Sequence, residues 1–103
     1  MSQISARTEA TSNAARQHWL AERRLDRTAM RTAHLRPTFF AEWLLWFWNR
    51  RDDEGLLQLP LGDGRHAPIA AEDQAYVIAA ILENPEPHDR QVYPLHGPVE
   101  MSH

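Results

Sequence analysis

Three stretches of the chain place residues at helical spacing and three shorter ones read as strands. Behind the capping run Thr11-Ser12-Asn13, residues Ala14, His18, Ala21, Leu25 and Ala29 fall on one stripe, which predicts a helix over 13–29 with that stripe facing inward. Arg16, Arg23, Arg24 and Arg27 lie mostly off the stripe and read as a solvated face that suits the helix dipole near its C-terminus. Thr32 to Arg36 is stopped by Pro37, so a strand is expected over 31–36. Thr38 then caps a helix running through Trp48 that is apolar nearly all round, which predicts burial on more than one side. Leu56-Leu57-Gln58-Leu59, ended by Pro60, gives a second strand, and Gly62-Asp63-Gly64 gives a loop. Ala75, Ile78, Ala79 and Leu82, with Glu72 and Asp73 in the first turn, predict a helix over 70–83 stopped by Pro85 and Pro87. Gln91 to Leu95 is the third strand, which Pro94 pushes toward an edge or a bulge.

The alternation of helix and strand points to α/β layering around a largely parallel sheet. Parallel sheets are normally covered on both faces, so three strands, three helices and one all-apolar helix read as part of a larger domain. A length of 103 residues excludes two independent folding units.

Composition narrows the chemistry. There is no Cys, which excludes disulfides, thiolate catalysis and thiolate-bound metals. Lysine is absent, so Schiff-base chemistry and a lysine general base are excluded too. Eleven basic residues against fourteen acidic ones give a net charge of −3, which argues against a nucleic-acid binder. The polar start of the chain is not a secretory signal, and the apolar window Phe39 to Trp48 is too short for the roughly 20 residues that span a bilayer. The expected setting is the cytoplasm, without membrane association.

Few motifs carry chemistry. Gly62-Asp63-Gly64-Arg65-His66-Ala67 fits the G-x-G-x-x-A spacing of a phosphate-binding turn, but Pro68 follows where a helix should already be running, so a plain loop is expected. His18 and Glu22 sit at i and i+4, a spacing that orients an imidazole or holds a metal, yet no third ligand accompanies them and no metal is expected. The Trp43, Trp46 and Trp48 helix lacks a basic companion face and reads as packed core or subunit contact.

Four segments taken together resemble the NmrA-like family, an atypical branch of the short-chain dehydrogenase/reductase superfamily. They are His18-Trp19-Leu20-Ala21-Glu22, His34-Leu35-Arg36-Pro37-Thr38-Phe39-Phe40, Leu59 through Asp73, and Tyr93-Pro94-Leu95-His96-Gly97-Pro98. The resemblance implies the later part of an NAD(P)-binding Rossmann fold: a partial three-layer α/β domain over 13–103 behind a polar segment over 1–12, truncated at both ends. The glycine-rich turn that grips the cofactor pyrophosphate in that family has no counterpart here. Complete relatives are NAD(P)H-dependent reductases or redox-sensing regulators, so the resemblance implies NAD(P) for the whole protein and no tight binding by this chain.

Enzymatic members of the superfamily use a Tyr and, four residues later, a Lys. Alignment on Glu22 puts Ala14 and His18 at those positions. That leaves turnover open and makes His18 the candidate catalytic residue. The same resemblance places Arg36, Pro37, Thr38, Phe39 and Phe40 beside the nicotinamide and substrate pocket, as expected where a strand ends and a helix begins. The alternative is a self-associating interaction module. In that reading the Trp-rich helix over 38–49 meets a second copy or the missing half.

Overall fold

The computed structural model describes residues 1–48 and 63–102. The expected strand over 56–59 and Gly62 lie outside them. The described chain is a mixed α/β arrangement: α1 (Asn13–Asp26), β1 (Ala33–Pro37), α2 (Glu42–Trp48), β2 (Arg65–His66), α3 (Ala71–Glu83), a 3-10 turn (Glu86–His88), β3 (Gln91–Leu95) and β4 (Met101–Ser102). No helix among the described residues is long and apolar enough to cross a membrane.

Ser12 caps α1, its hydroxyl accepting the Ala15 amide at 3.1 Å. The helix ends at Asp26, three residues before the expected end. The reason is competition for its last carbonyls. The Thr28 hydroxyl donates to Leu25 O at 2.6 Å, and the Arg90 guanidinium donates to Asp26 O at 2.6 Å. Arg90 does this from a left-handed backbone, with φ 64°, while its own amide donates to Thr32 O.

The inward face of α1 also differs from the expected stripe. Ala15 and Glu22 are buried, whereas Ala14, Ala21 and Leu25 are exposed. The helix turns a charged line, Glu22 and Asp26, toward the sheet because the strand beneath presents His34 and Arg36 rather than apolar side chains.

β1 and β3 pair in parallel, from Ala33 opposite Gln91 to Pro37 opposite Leu95. The opposite edge of β1 is also occupied. Ser2 N donates to Leu35 O at 2.7 Å and Ile4 N to Pro37 O at 3.1 Å, so the start of the chain runs alongside β1 in the parallel sense. Side chains alternate along β1, so Leu35 points away from α1. On that side Ala33 and Leu35 share an apolar cleft of about 310 Å³ with Met1 and with Ile78 and Ile81 of α3. Helices therefore flank both faces of β1, one through ion pairs and one through aliphatic side chains. β2 and β4 form a separate antiparallel pair that the sequence pattern did not predict.

The helix expected from Thr38 begins only at Glu42. Residues 38–40 are held extended by their neighbours, and a turn at Ala41 leads into the helix: Thr38 N donates to Leu95 O, Ile69 N to Phe39 O and Ala41 N to Ile69 O. The Thr38 hydroxyl donates to Ala67 O at 2.7 Å instead of capping a helix. Nor is α2 enclosed as expected: Trp43, Leu45 and Trp46 keep 49%, 68% and 51% of their surface exposed.

Candidate functional site

The carboxyl end of β1 opens into a cleft of about 490 Å³, and this cleft brings together most of the residues singled out in the sequence. His18 comes from the second turn of α1. Pro37, Thr38, Phe39 and Phe40 come from the strand end, and Trp43 from α2. The chain runs on extended past Pro37, with Thr38 N still donating to Leu95 O and Phe40 bridged to Ile69, which brings residues 38–40 to the end of the sheet where α1 presents His18. The aromatic wall is interlocked edge to face, with Phe39 and Trp43 centroids 5.2 Å apart and Phe40 and Trp43 5.9 Å apart.

His18 makes no hydrogen bond among the described residues, which leaves both ring nitrogens to a ligand. Thr38 is less free. Its hydroxyl hydrogen is engaged on the Ala67 carbonyl, so toward the cleft it can only accept. Ala67 O also accepts the Gly97 amide at 2.9 Å, which fixes the strand end, the segment before α3 and the exit of β3 to one another. A Cβ on Gly97 would come within 1.6 Å of Pro68 O, so only glycine fits this approach.

Arg36 does not line the cleft. Its guanidinium makes a two-pronged contact with Glu22, Nε to Oε1 at 2.9 Å and Nη2 to Oε2 at 2.5 Å. Burial works to raise the Glu22 carboxyl, but the Arg36 hydrogen bonds and charge outweigh it and hold the group below its ordinary value. Both Glu22 oxygens are thereby used, and Glu22 does not orient His18. One turn further, Asp26 accepts from His34 Nε2 at 2.7 Å and from the Thr32 hydroxyl at 3.0 Å. The His34 hydrogen bond is the main cause holding the Asp26 carboxyl below its ordinary value.

The start of the chain, read from sequence as a polar lead-in, supplies the remaining wall. Met1 to Ser5 line the cleft opposite the aromatics. Ser2 is buried and its hydroxyl, although near enough to Glu22 to help lower that carboxyl, makes no hydrogen bond of its own. Ser2, Ala6 and Ala10 are the buried positions of this segment, small residues at a four-residue spacing.

The chain is 33% identical over 86 residues to the NAD(P)H azoreductase of Xenophilus azovorans. The match covers 82% of this chain and 30% of that enzyme, so the chain spans under a third of the length of the curated relative it matches. No family model matches, and no solved structure matches.

Proposed function

We propose that this chain is the nicotinamide and substrate side of a cytoplasmic, NmrA-like NAD(P)H-dependent reductase. The observation that carries the reading is the convergence of His18 with Pro37, Thr38, Phe39 and Phe40 on one cleft beyond the carboxyl end of a parallel strand, the position where open α/β sheets bind ligands. The likeness to an NAD(P)H azoreductase supports it from the sequence side.

The cleft residues suit part of the cofactor only. Phe39, Phe40 and Trp43 offer an uncharged aromatic wall to a flat ring, whereas among the described residues no arginine lines the cleft to meet a pyrophosphate. The dinucleotide is held chiefly by contacts outside this chain, and this chain alone has little affinity for it. When bound, NAD(P)H supplies the hydride. The residues here bind the accepting molecule against the aromatic wall, exclude water from it, and hydrogen-bond its acceptor atom through His18.

Two measurements test the reading. Calorimetric titration of the chain with NADPH is expected to show no micromolar binding. A chimera carrying residues 11–98 in place of the matching segment of the azoreductase is expected to oxidise NADPH, with a raised KM for the accepting substrate in its His18→Ala variant. A folded chimera whose KM ignores His18 removes that residue from the site.

The exposure of Trp43, Leu45 and Trp46 favours a second reading of α2 as the surface that meets a companion chain carrying the dinucleotide-binding half. Co-purification with such a half, lost on Leu45→Glu, is the result that supports it.

A further inference from the structure

We propose that a second copy of this chain docks through complementary helix faces, the basic outer face of α1 against the acidic outer face of α3. The inference is independent of the reductase reading and of the α2 surface. On α1, Arg16, Leu20, Arg24 and Arg27 are all exposed and recur at i, i+4, i+8 and i+11, which puts them on one side of the helix. On α3, Glu72, Tyr76, Ala80 and Glu83 are exposed at the same spacing, with Asp73 and Ala79 beside them.

The two faces fit when the helices run antiparallel. Arg27 then meets Glu72 and Asp73, Arg24 lies over the ring of Tyr76, Leu20 rests on Ala79 and Ala80, and Arg16 meets Glu83. The charges alternate in the sense the helix dipoles prefer, basic residues at the C-terminal end of α1 facing acidic ones at the N-terminal end of α3. Small residues at 79 and 80 let the backbones approach where Leu20 projects. Leu20 is 53% exposed and Tyr76 66% exposed, so the centre of each face is apolar and uncovered within one chain. Arg24 and Arg27 form no ion pair among the described residues, and neither do Asp73 and Glu83.

Because α1 and α3 flank opposite faces of β1, the contact is head to tail. Each copy still has one free face after pairing, so association continues with concentration instead of stopping at a dimer. The contact is narrow and built on exposed charge, so it is weak and screened by salt.

Sedimentation equilibrium over rising chain concentration tests the proposal. The weight-average mass of the wild type is expected to climb past two chains at low salt, and the association to weaken at least roughly fivefold between about 50 and about 500 mM salt. The Arg24→Glu/Arg27→Glu variant and the Glu72→Arg/Asp73→Arg variant should each stay a single chain while retaining the wild-type circular dichroism. Mixing the two should restore association, since each then offers the other an opposite charge. A wild type that stays a single chain at every concentration overturns the proposal. So does a salt-insensitive dimer that both variants still form, which would place the contact on α2 instead.

Discussion

Replacing Arg36 by Met isolates what the α1 to β1 ion pair contributes. Glu22 is 2% exposed and is held by two charge-assisted hydrogen bonds from one guanidinium. Removing one partner of a buried pair typically costs about 3–5 kcal/mol, because the remaining charge is left without compensation. The Arg36 side chain keeps 22% of its surface in contact with water, so the lower end, about 3 kcal/mol, is expected. A domain of this size has about 5–15 kcal/mol in total, and the loss corresponds to a fall in Tm of roughly 12–24 °C.

The pH dependence separates this account from a mere loss of packing. In the wild type the Glu22 carboxyl lies below its ordinary value of 4.5, so its contribution is complete above that pH and is lost as pH falls through it and below. In Arg36→Met burial, the largest influence and one that raises the carboxyl, is opposed only by Ser2, His34 and the more distant Arg23 guanidinium at 3.7 Å, so acid relieves the variant by neutralising a poorly compensated charge. The gap between the two proteins therefore narrows from about 3 kcal/mol at neutral pH to a smaller value at a pH well below 4.5. Urea unfolding followed by circular dichroism at both pH values measures it. A gap under about 1 kcal/mol at neutral pH, or one that stays constant on acidification, refutes the reasoning. Glu22→Leu combined with Arg36→Met should recover most of the loss, since no charge is then left buried.

Gly97→Ala forces a Cβ against the Pro68 carbonyl, so it should cost about 3 kcal/mol and show as a lower urea midpoint with an unchanged slope. Asp26→Asn removes the carboxylate that His34, Thr32 and Arg23 share. Because the wild-type Asp26 carboxyl lies below 3.8, its contribution is present above that value and lost below it, and the variant's Tm should fall less steeply than the wild type's between about pH 5 and about pH 3. An equal acid slope in both proteins would show that Asp26 is not the group responsible.

Helical spacing made α3 readable almost to the residue, and Pro37 and Pro94 marked where β1 and β3 lie, because these signals are local. What failed was non-local. Hydropathy alone puts Ala14, His18, Ala21, Leu25 and Ala29 on the inward face of α1, whereas Ala15 is buried instead and Glu22 and Asp26 pair with the strand. A polar stripe is inward only if its partner strand carries the matching charges, and nothing in the α1 segment alone announces Arg36 or His34. The late start of α2 has the same origin. Thr38 is a good capping residue, yet the Ala67 carbonyl, far along the chain, takes its hydroxyl while residues 38–40 stay extended. The candidate residues were legible through the family resemblance. Their meeting with Met1 to Ser5 was not, because the pairing of that segment with β1 depends on backbone hydrogen bonds that composition does not encode.

The ion pair also sets the dimensions of the cleft. Glu22 lies one helical turn beyond His18 on α1, and Arg36 immediately precedes Pro37 on β1, so the clamp joins the two walls about one turn away from where a ligand would sit. An apolar contact at this position would bind helix to strand without fixing either in register, since aliphatic side chains tolerate sliding and rotation. A two-pronged guanidinium–carboxylate contact fixes both distance and orientation. His18 is thereby held opposite Thr38 and the aromatic wall without making any hydrogen bond of its own. This explains why the largest fully buried side chain among the described residues is a charged one: the pair supplies little net stability over a hydrophobic replacement, and its return is a cleft whose imidazole stands at a defined separation from the strand end.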